Sequence, residues 1–465
     1  MDRSTIAAIC TPKGFGGVGI IKISGPEAIR IAQALFRRRN QMESQEKSDC
    51  LKAYRLHYGI VVQPEDGGRI DEVLLATMRA PKSYTGEDVV EINAHAGPVV
   101  LNTILDLVLA QGARLAEPGE FTRRAFLNGR IDLTQAEAVV DLINAKTIAA
   151  AHMASSQMAG QLRCEIEEIS AAVKQLITHN EARIDFPEDV DSADQVDTDS
   201  STIKEKVIAP LKYILDHYRE GRILREGLRM AVVGRPNVGK SSLMNRLLRD
   251  DRAIVTDIPG TTRDTVEDFI NIQGIPVVIV DTAGLQKTKN PVERIGIEKT
   301  LRNIEQADLI LFVVEEGRGI QAEDVEIYEK IADKSLFIVI NKKDLENANK
   351  PIRLPKEWSE SPCLRLSALS GEGVAALESA IYGFVAGAQQ GLINSDFAPN
   401  LRQKQLVQDS LQAARAALES KQREDPGELT ALDLDACLQS LNKILGKHLR
   451  EDILEQIFSQ FCIGK

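Results

Sequence analysis

The chain has 465 residues, of which 43% are hydrophobic, and a formal net charge of −11. This length predicts about three domains, and the acidic balance argues against a general nucleic-acid binder, so any RNA contact is expected to be local or shared with a partner protein. Six dispersed cysteines without a Cys-x-x-Cys pair indicate neither a zinc site nor a disulfide framework, and the absence of a signal peptide pattern or a bilayer-length apolar run predicts a cytoplasmic protein.

Residues 1–119 mix short strands with helices, which is typical of an α+β domain. Helices are predicted near 26–38 and 98–111, and strands at Ile6–Ile9, Gly19–Ser24, Glu72–Thr77 and Asp88–Asn93. The spacing Gly14-x-Gly16-x-x-Gly19 fits a dinucleotide-binding pattern, but a strand follows it instead of a helix. We therefore interpret these glycines as a tight loop between two strands.

A helical period dominates from residue 120 onward. It passes through Thr134–Ile143 to about Ile184, breaks at the acidic segment Pro187–Thr202, and continues in a helix to about Arg225. Helices resume from about Leu401 to Gln460. The economical interpretation is one helical domain in two pieces, residues 120–223 and 387–465, around an inserted domain at 224–386, since neither piece then buries its apolar stripe alone. An independent C-terminal bundle is the alternative.

The inserted domain opens with a phosphate-binding pattern. Gly234-Arg-Pro-Asn-Val-Gly-Lys-Ser241 follows the apolar run Met230–Val233 and precedes a helical pattern. Glycines let consecutive backbone N–H groups face phosphate oxygens, Lys240 has the reach for the β- and γ-phosphates, and Ser241 is a suitable Mg²⁺ ligand. This strand-loop-helix context favours a nucleotide site.

Three further motifs each follow a predicted strand. Asp281-Thr-Ala-Gly284 would bring a carboxylate near the metal and a glycine N–H near the γ-phosphate. Asn341-Lys-Lys-Asp344 ends the strand Leu336–Ile340, and its last carboxylate would accept hydrogen bonds from the guanine N1–H and N2–H₂ edge, which adenine lacks. Ser367-Ala-Leu369 fits the loop that closes over the base. Since open α/β sheets bind ligands at the carboxyl ends of their strands, we predict a GTP site there.

The residue after Asp-Thr-Ala-Gly is Leu285, where Ras-like switches often carry a water-orienting glutamine. Either hydrolysis is negligible or another residue and another positive charge do that work. Thr262 in the segment 255–264 is a candidate Mg²⁺ ligand, and Asn237 with loop carbonyls is a candidate site for a monovalent cation. Glu293 is a candidate to orient water; on position alone, a solvated glutamate at a helix start is the alternative interpretation.

The chain resembles the MnmE (TrmE) family of tRNA-modification GTPases, within the TrmE-Era-EngA-like group. The resemblance runs end to end, from Gly16–Ile20, Ser83–Asp88 and Pro118–Phe121 through the nucleotide motifs to Phe461-Cys-Ile-Gly-Lys465. It implies a multidomain α/β plus all-α fold: an N-terminal α+β folate-binding and dimerisation domain, a split helical-bundle domain, and an inserted Ras-like P-loop GTPase domain. Related ribosome-assembly GTPases share the nucleotide motifs but not the terminal segment.

The resemblance also implies an activity and its components. The family, with the flavoprotein MnmG, installs aminomethyl or carboxymethylaminomethyl groups at C5 of the wobble uridine of certain tRNAs. A methylene-tetrahydrofolate supplies the carbon, and dimerisation of the GTPase domains activates potassium-dependent GTP hydrolysis. A cytoplasmic homodimer in a heterotetrameric complex with MnmG is therefore expected.

By motif match, Glu293 and Cys462 are catalytic, and Lys22, Glu91, Arg130 and Lys465 bind folate. K⁺ would be held by Asn237, Thr256, Ile258 and Thr261, and Mg²⁺ by Ser241 and Thr262. The predicted GTP-binding residues are Asn237, Val238, Gly239, Lys240, Ser241, Ser242, Thr256, Asp257, Ile258, Pro259, Gly260, Thr261, Thr262, Asp281, Thr282, Ala283, Gly284, Asn341, Lys342, Asp344, Ser367, Ala368 and Leu369.

Two departures and two alternatives accompany this assignment. Lys22 stands where the family pattern has arginine and Arg130 where it has lysine; both keep the charge, but a guanidinium fork and a point charge are not equivalent. Cys462 also fits a small apolar residue near a chain end. The alternative function is a regulatory GTPase switch in ribosome assembly without modification chemistry, which the absence of a KH-type Gly-x-x-Gly module disfavours.

Overall fold

A computed structural model of the chain describes residues 4–12, 14–38, 51–185, 198–250, 268–281, 303–345, 352–387 and 397–464. The chain divides into two compact units. The first unit contains Met1–Val140 together with Leu438–Lys465, and the second contains Asp141–Cys437. The second unit is therefore inserted, in sequence, into the first.

The helices that the structure describes are distributed over both units. In chain order they are α1 (Ala28–Leu35), α2 (Pro98–Ala110), α3 (Glu120–Leu127), α4 (Leu133–Asn144), α5 (Ile148–Met158), α6 (Gln161–Asp185), α7 (Ala209–Asp216), α8 (Tyr218–Glu226), α9 (Lys240–Asp250), α10 (Ala322–Glu329), α11 (Val374–Ala386), α12 (Leu401–Gln422), α13 (Gly427–Ile444) and α14 (Glu451–Phe458). A π-helical segment, Ile203–Ile208, leads into α7, and short 3₁₀ turns lie at Glu316–Arg318 and Lys356–Trp358. None of the helices within the described ranges is long and apolar enough to cross a membrane.

The first unit contains a mixed sheet. Its strands are β1 (Ile6–Ile9), β2 (Gly19–Ser24), β3 (Phe36–Arg38), β4 (Leu56–Val62), β5 (Arg69–Met78), β6 (Val89–Ala94) and β7 (Arg114–Leu115). They lie in the order β3-β4-β5-β6-β2-β1-β7, with β1 and β7 parallel and the other neighbours antiparallel. Gly14 and Gly16 lie between two antiparallel strands, β1 and β2, as the strand pattern that follows them predicted.

Alternation along β2 and β6 determines which side chains face the core. Ile21 and Ile23 of β2 are buried with Val90 and Ile92 of β6, in a core that α1 and α2 cover. Because successive side chains point to opposite faces of a sheet, Lys22 projects from the other face. Its cross-strand partner in the register is Glu91.

The second unit contains the strands of the predicted nucleotide domain. These are β8 (Leu228–Val233), β9 (Asp268–Ile272), β10 (Ile275–Asp281), β11 (Leu309–Glu315), β12 (Leu336–Asn341) and β13 (Cys363–Arg365). They lie in the order β13-β12-β11-β8-β10-β9, parallel except for the β9–β10 pair. Every residue of β11 and β12 is buried, as expected for parallel strands with helices on both faces.

Two hydrophobic cores lie on opposite faces of this sheet. One includes α9 and α11 through Leu243, Leu247, Leu377 and Ile381, and the other includes Tyr328 of α10 and Trp358. Helical packing outside the sheet includes contacts of α12 with α7 and with the π-helical segment. The predicted fold class, α/β together with a largely helical part, is confirmed.

Two details of the predicted elements are wrong. The helix expected near 26–38 ends at Leu35, and residues 36–38 form β3 at the sheet edge. Gly59 of β4 permits this close pairing, because a Cβ there would lie 2.3 Å from the carbonyl oxygen of Arg37. The predicted break at 187–202 is shorter, since residues 198–202 are already helical; residues 187–197 lie outside the described ranges.

Candidate active site

The phosphate-binding pattern forms a tight loop between β8 and α9. Gly234 has φ +153° and Gly239 has φ +99°. A Cβ on Gly234 would lie 2.3 Å from the carbonyl oxygen of Val313, and a Cβ on Gly239 would lie 2.2 Å from Asn341 Nδ2. Side chains at these two positions would therefore collide with the neighbouring strand ends, and glycine is required on steric grounds.

Lys240 begins α9 and folds back over the loop. Its Nζ donates hydrogen bonds to the carbonyl oxygens of Gly234 and Arg235, each at 2.8 Å. Ser241 follows in the first turn of α9 and is exposed. A helix N-terminus with a lysine at its first position favours phosphate, and an exposed hydroxyl beside it is a suitable ligand for Mg²⁺. The described residues thus fit a magnesium-bound nucleoside phosphate.

Asn341 connects the phosphate loop with the base-recognition segments. It ends β12, is 2% exposed, and donates from Nδ2 to the carbonyl of Val238 at 2.8 Å. Its Oδ1 accepts the N–H of Ala368 at 2.9 Å. One buried amide therefore aligns three of the predicted motifs at the carboxyl edge of the sheet.

The remaining guanine-motif residues lie beside this amide. Asp344 is exposed, and its Oδ1 accepts a hydrogen bond from Ser367 Oγ at 2.5 Å. Lys342 has φ +67°, and its Nζ lies 3.1 Å from Oε1 of Glu315, a buried residue that ends β11. The carboxylate and the lysine are thus each held by one neighbour, an arrangement able to present Asp344 to a purine edge.

Sequence patterns did not identify several supporting residues of this site. Glu315 is one of them, and Arg235 is another. The Arg235 Nε donates to Asp324 Oδ1 at 2.7 Å, and Asp324 is fully buried at the start of α10. Arg246 of α9 also contacts the Ser367–Leu369 loop. An acidic residue in the first turn of a helix is a pattern that could have identified Asp324. Its partner Arg235 lies 89 residues away, so no sequence pattern predicted the pair.

Several predicted residues of the nucleotide site lie outside the described ranges. Asp281 ends β10, as the strand pattern predicted. The residues that lie outside the described ranges are Thr256, Asp257, Ile258, Pro259, Gly260, Thr261, Thr262, Thr282, Ala283, Gly284, Leu285 and Glu293.

A second polar cluster lies on the face of the first unit's sheet opposite α1 and α2. Lys22 Nζ is 3.5 Å from Glu91 Oε1 and 5.5 Å from the ring centroid of Tyr84. The Arg130 guanidinium carbon is 5.0 Å from the same ring, and Arg130 Nη1 donates to the Tyr84 carbonyl at 2.6 Å. Lys22 and Arg130 therefore both contact Tyr84, which sequence analysis did not single out, and Glu91 pairs with Lys22.

Hydrogen bonds from α3 and the residue that follows it hold the segment carrying Tyr84. Its hydroxyl is 2.9 Å from Thr122 Oγ1, and Asn128 Nδ2 donates to the Thr85 carbonyl at 2.7 Å. Beneath them, the guanidinium of Arg124 is 3.1 Å from Glu87 Oε2 and 3.0 Å from Glu120 Oε1. This network holds the segment that carries Tyr84 against α3 and so fixes the position of the tyrosine.

The C-terminal segment lies against the same sheet. The N–H of Gly119 donates to the carbonyl of Cys462 at 3.3 Å, and a Cβ on Gly464 would lie 2.8 Å from the carbonyl oxygen of Ile9. Ile9 of β1 pairs with Ile21, the neighbour of Lys22. Cys462 itself is exposed, and Lys465 lies outside the described ranges. The tail is thus anchored one strand away from the polar cluster.

The fold and the first of these sites define a class of protein. A parallel sheet with a phosphate loop after one strand and Asn-Lys-x-Asp after another, joined by a buried asparagine, is the site of a P-loop GTPase.

Comparison with known proteins agrees and is more specific. Residues 133–462 match the family model described as MnmE helical domain, and residues 5–130 match that of the GTP-binding protein TrmE N-terminus. The tRNA modification GTPase MnmE of Carboxydothermus hydrogenoformans is 46% identical over 100% of both chains. That of Acetivibrio thermocellus is 43% identical over 100% of this chain and 99% of its own.

A crystal structure of Aquifex aeolicus Era bound to GDP·AlF₄⁻ is similar to 40% of this chain and 65% of that chain, at 28% identity and a TM-score of 0.28. The whole-length relatives settle the family. The chain belongs to the MnmE family of tRNA modification GTPases. It is accordingly an enzyme that hydrolyses GTP.

Proposed function

We propose that this GTPase modifies C5 of the wobble uridine in certain tRNAs, using a carbon from methylene-tetrahydrofolate and acting with the flavoprotein MnmG. The observation that carries the folate part is the cluster of Tyr84 with Lys22 and Arg130, in which Glu91 pairs with Lys22, one strand away from the anchored tail. Outside the nucleotide site, this cluster combines an acceptor, two cations and an aromatic ring.

The side chains of this cluster match the chemistry of a reduced folate. Glu91 is an acceptor for the N–H groups of a pterin edge, and Lys22 and Arg130 supply positive charge for carboxylates. Tyr84 offers a ring face next to them. When bound, the folate supplies the one-carbon unit; the protein residues bind and orient it. Lys465 is proposed as a further folate contact and Cys462 as the catalytic thiol beside it.

For GTP hydrolysis, we assign Ser241 and Thr262 as ligands of Mg²⁺. Asn237, Thr256, Ile258 and Thr261 are the proposed ligands of K⁺. These ions would neutralise phosphate charge, and Glu293 would orient the attacking water. Support comes from Asn237, whose φ of +66° places it in the left-handed region of a phosphate loop that Lys240 closes. Dimerisation of the GTPase domains would complete this site.

The proposed assembly is a cytoplasmic homodimer, joined through the first unit, in a heterotetramer with MnmG. Its substrate would be tRNA. With a net charge of −11, tRNA contact is expected to be local or shared with the flavoprotein partner.

Calorimetry of the full chain with 5-formyl-tetrahydrofolate tests the folate assignment. We expect saturable binding by the wild type and loss of about tenfold or more in affinity for Glu91→Gln, because the pterin edge then meets a neutral amide in place of a carboxylate. Glu65→Gln, at an exposed position between β4 and β5, is the matched control. A folded wild-type sample that binds no reduced folate would contradict the one-carbon chemistry and favour a regulatory switch.

A further inference from the structure

Arg246 reaches from the phosphate-binding helix to the loop that closes over the base. It lies on α9, which begins at Lys240. Its Nε donates to the Ala368 carbonyl at 3.3 Å, and its Nη2 donates to the Leu369 carbonyl. A Cβ on Gly371 would lie 3.6 Å from the guanidinium carbon. The guanidinium therefore contacts the loop at three successive places, and Arg246 belongs to none of the nucleotide motifs.

Both backbone polar groups of Ala368 are consequently bonded. Its N–H donates to Asn341 Oδ1 and its carbonyl accepts from Arg246. The neighbouring Leu369 is 76% exposed, so its side chain adds little apolar anchoring. On the carbonyl side, the position of the loop depends on a charged donor that comes from another element.

Other bonds join the loop to Asp344 and Lys343, which follow β12, and others lie within the loop itself. Ser367 N–H donates to the Glu372 carbonyl, and Gly371 N–H donates to the Ser367 carbonyl. They fix the shape of the loop but do not connect it to α9. Arg246 makes that connection, between the helix that holds Lys240 and Ser241 and the loop next to Asp344.

We propose that Arg246 is a positioning residue that sets the lifetime of bound guanine nucleotide. This proposal depends on the chain being a GTPase and not on the proposed tRNA modification. With Arg246 in place, the base-closing loop is tied to the helix at the phosphate end of the same nucleotide. Without it, the loop opens more readily, and GDP leaves faster. Differences in affinity between related complexes reside mostly in dissociation. Arg246 lies six residues after Lys240 on α9, about 9 Å along the helix axis, so we expect the hydrolysis step to be unaffected.

Release of a fluorescent GDP analogue, chased with excess GDP, tests this in the full chain. For Arg246→Ala, we expect release to accelerate about tenfold, the change that corresponds to loss of about one charge-assisted hydrogen bond. Association and kcat at saturating GTP should change far less than the release rate, since most effects of mutations at one binding site appear in dissociation. Arg246→Lys should give an intermediate release rate, since an ammonium does not fork onto two carbonyls.

Arg229→Ala is the matched control. Arg229 lies at the opposite end of β8, and its Nη1 donates to Gln306 Oε1 at 3.1 Å. The Arg229→Ala variant should release the GDP analogue at the wild-type rate. If Arg246→Ala fails to fold, Arg246→Gln keeps one donor and serves in its place. Wild-type release in Arg246→Ala or Arg246→Gln would overturn the proposal, as would a fall in kcat that matches the rise in release.

Discussion

Ser367 donates a hydrogen bond from Oγ to Asp344 Oδ1 at 2.5 Å, and the same oxygen of Ser367 accepts the N–H of Ser370 at 3.1 Å. The serine therefore transmits the closed shape of the base loop to the carboxylate that is expected to read guanine. A carboxylate held by one oxygen is oriented before the nucleotide arrives, which limits the ordering needed on binding.

We expect Asp344→Asn to lose about 10²-fold or more in kcat/KM for GTP and to gain activity with xanthosine triphosphate. The amide offers a donor where guanine also offers donors, and mismatched buried polar groups discriminate strongly. Steady-state hydrolysis of both nucleotides measures the switch. Asp333→Asn, at an exposed position before β12, should leave the preference for GTP unchanged.

Hydrolysis should require K⁺ more than Na⁺, and Asn237→Ala should abolish this dependence while GTP still binds. An arginine finger supplies roughly 10³–10⁵ in rate in other GTPases, and a cation at Asn237 would fill that role. Asn237 has φ +66°, a conformation that strains alanine. Asn237→Gly removes the side chain without that strain. Both variants should therefore lose the K⁺ dependence if the missing side-chain amide oxygen is the cause. Equal rates of the wild type in K⁺ and Na⁺ would refute this prediction.

Glu293→Ala should reduce single-turnover GTP hydrolysis by about 10²-fold, within the range that a positioned acid–base group contributes. GTP affinity should change little, because orientation of water acts in the transition state and not in ground-state binding. Rapid-quench hydrolysis together with nucleotide titration separates the two effects. A variant with normal turnover would return Glu293 to the role of a helix-start glutamate.

Glu120→Gln should destabilise the first unit by about 3 kcal/mol, because it removes a carboxylate partner from the buried Arg124 and from the partly exposed Arg114. Burial raises the pKa of the Glu120 carboxyl, but hydrogen bonds from Arg114, from the Glu117 N–H and from Arg124 outweigh it and hold the pKa below its usual value. This stabilisation is present above the unfolded-state pKa and is lost as the pH falls through the lower folded-state pKa.

Hydrogen exchange of the α3 amides measures this effect against pH. Protection of the wild type should fall in acid below the ordinary glutamate pKa, whereas Glu120→Gln should be weakly protected throughout. The exposed Glu117 lies 3.9 Å from Arg123, and Glu117→Gln should behave like wild type. An acid response in Glu120→Gln as steep as that of wild type would show that another group titrates.

Cys462→Ser should reduce the modified wobble uridine to background while GTP turnover stays normal. The thiol is exposed on a tail that is anchored beside the sheet of the first unit, whereas the nucleotide motifs belong to the second unit. Nucleoside mass spectrometry of tRNA from cells that carry only the variant provides the measurement. The exposed Cys164 supplies a control, Cys164→Ser, in which modification should persist. Wild-type modification in Cys462→Ser would leave the thiol with a packing role.

The sequence predicted most strongly what depends on short patterns. Met230–Val233 and Leu336–Ile340 are uninterrupted apolar runs, and both are central strands. The predicted strands did not include β3, β4, β7, β9 or β11. The first four have mixed or very short patterns and pair with strands beside them in the sheet, whereas β11 is an apolar run that was overlooked. Tyr84 and Arg246 were missed for a related reason. Their partners come from other elements of the fold, so no residue spacing in the sequence predicts these contacts.

The first unit has a consequence for biosynthesis. Leu133 and Ala136 of α4 are buried against Leu454, Phe458 and Phe461, from which residues 141–437 separate them in sequence. At translation rates of about 5–20 residues per second, the ribosome needs roughly 15–60 s to make the intervening segment. During that time the apolar face of α4 has no partner from the tail. Nascent chains of this protein are therefore expected to expose a late-closing hydrophobic surface, on which general chaperones act until α14 has been synthesised.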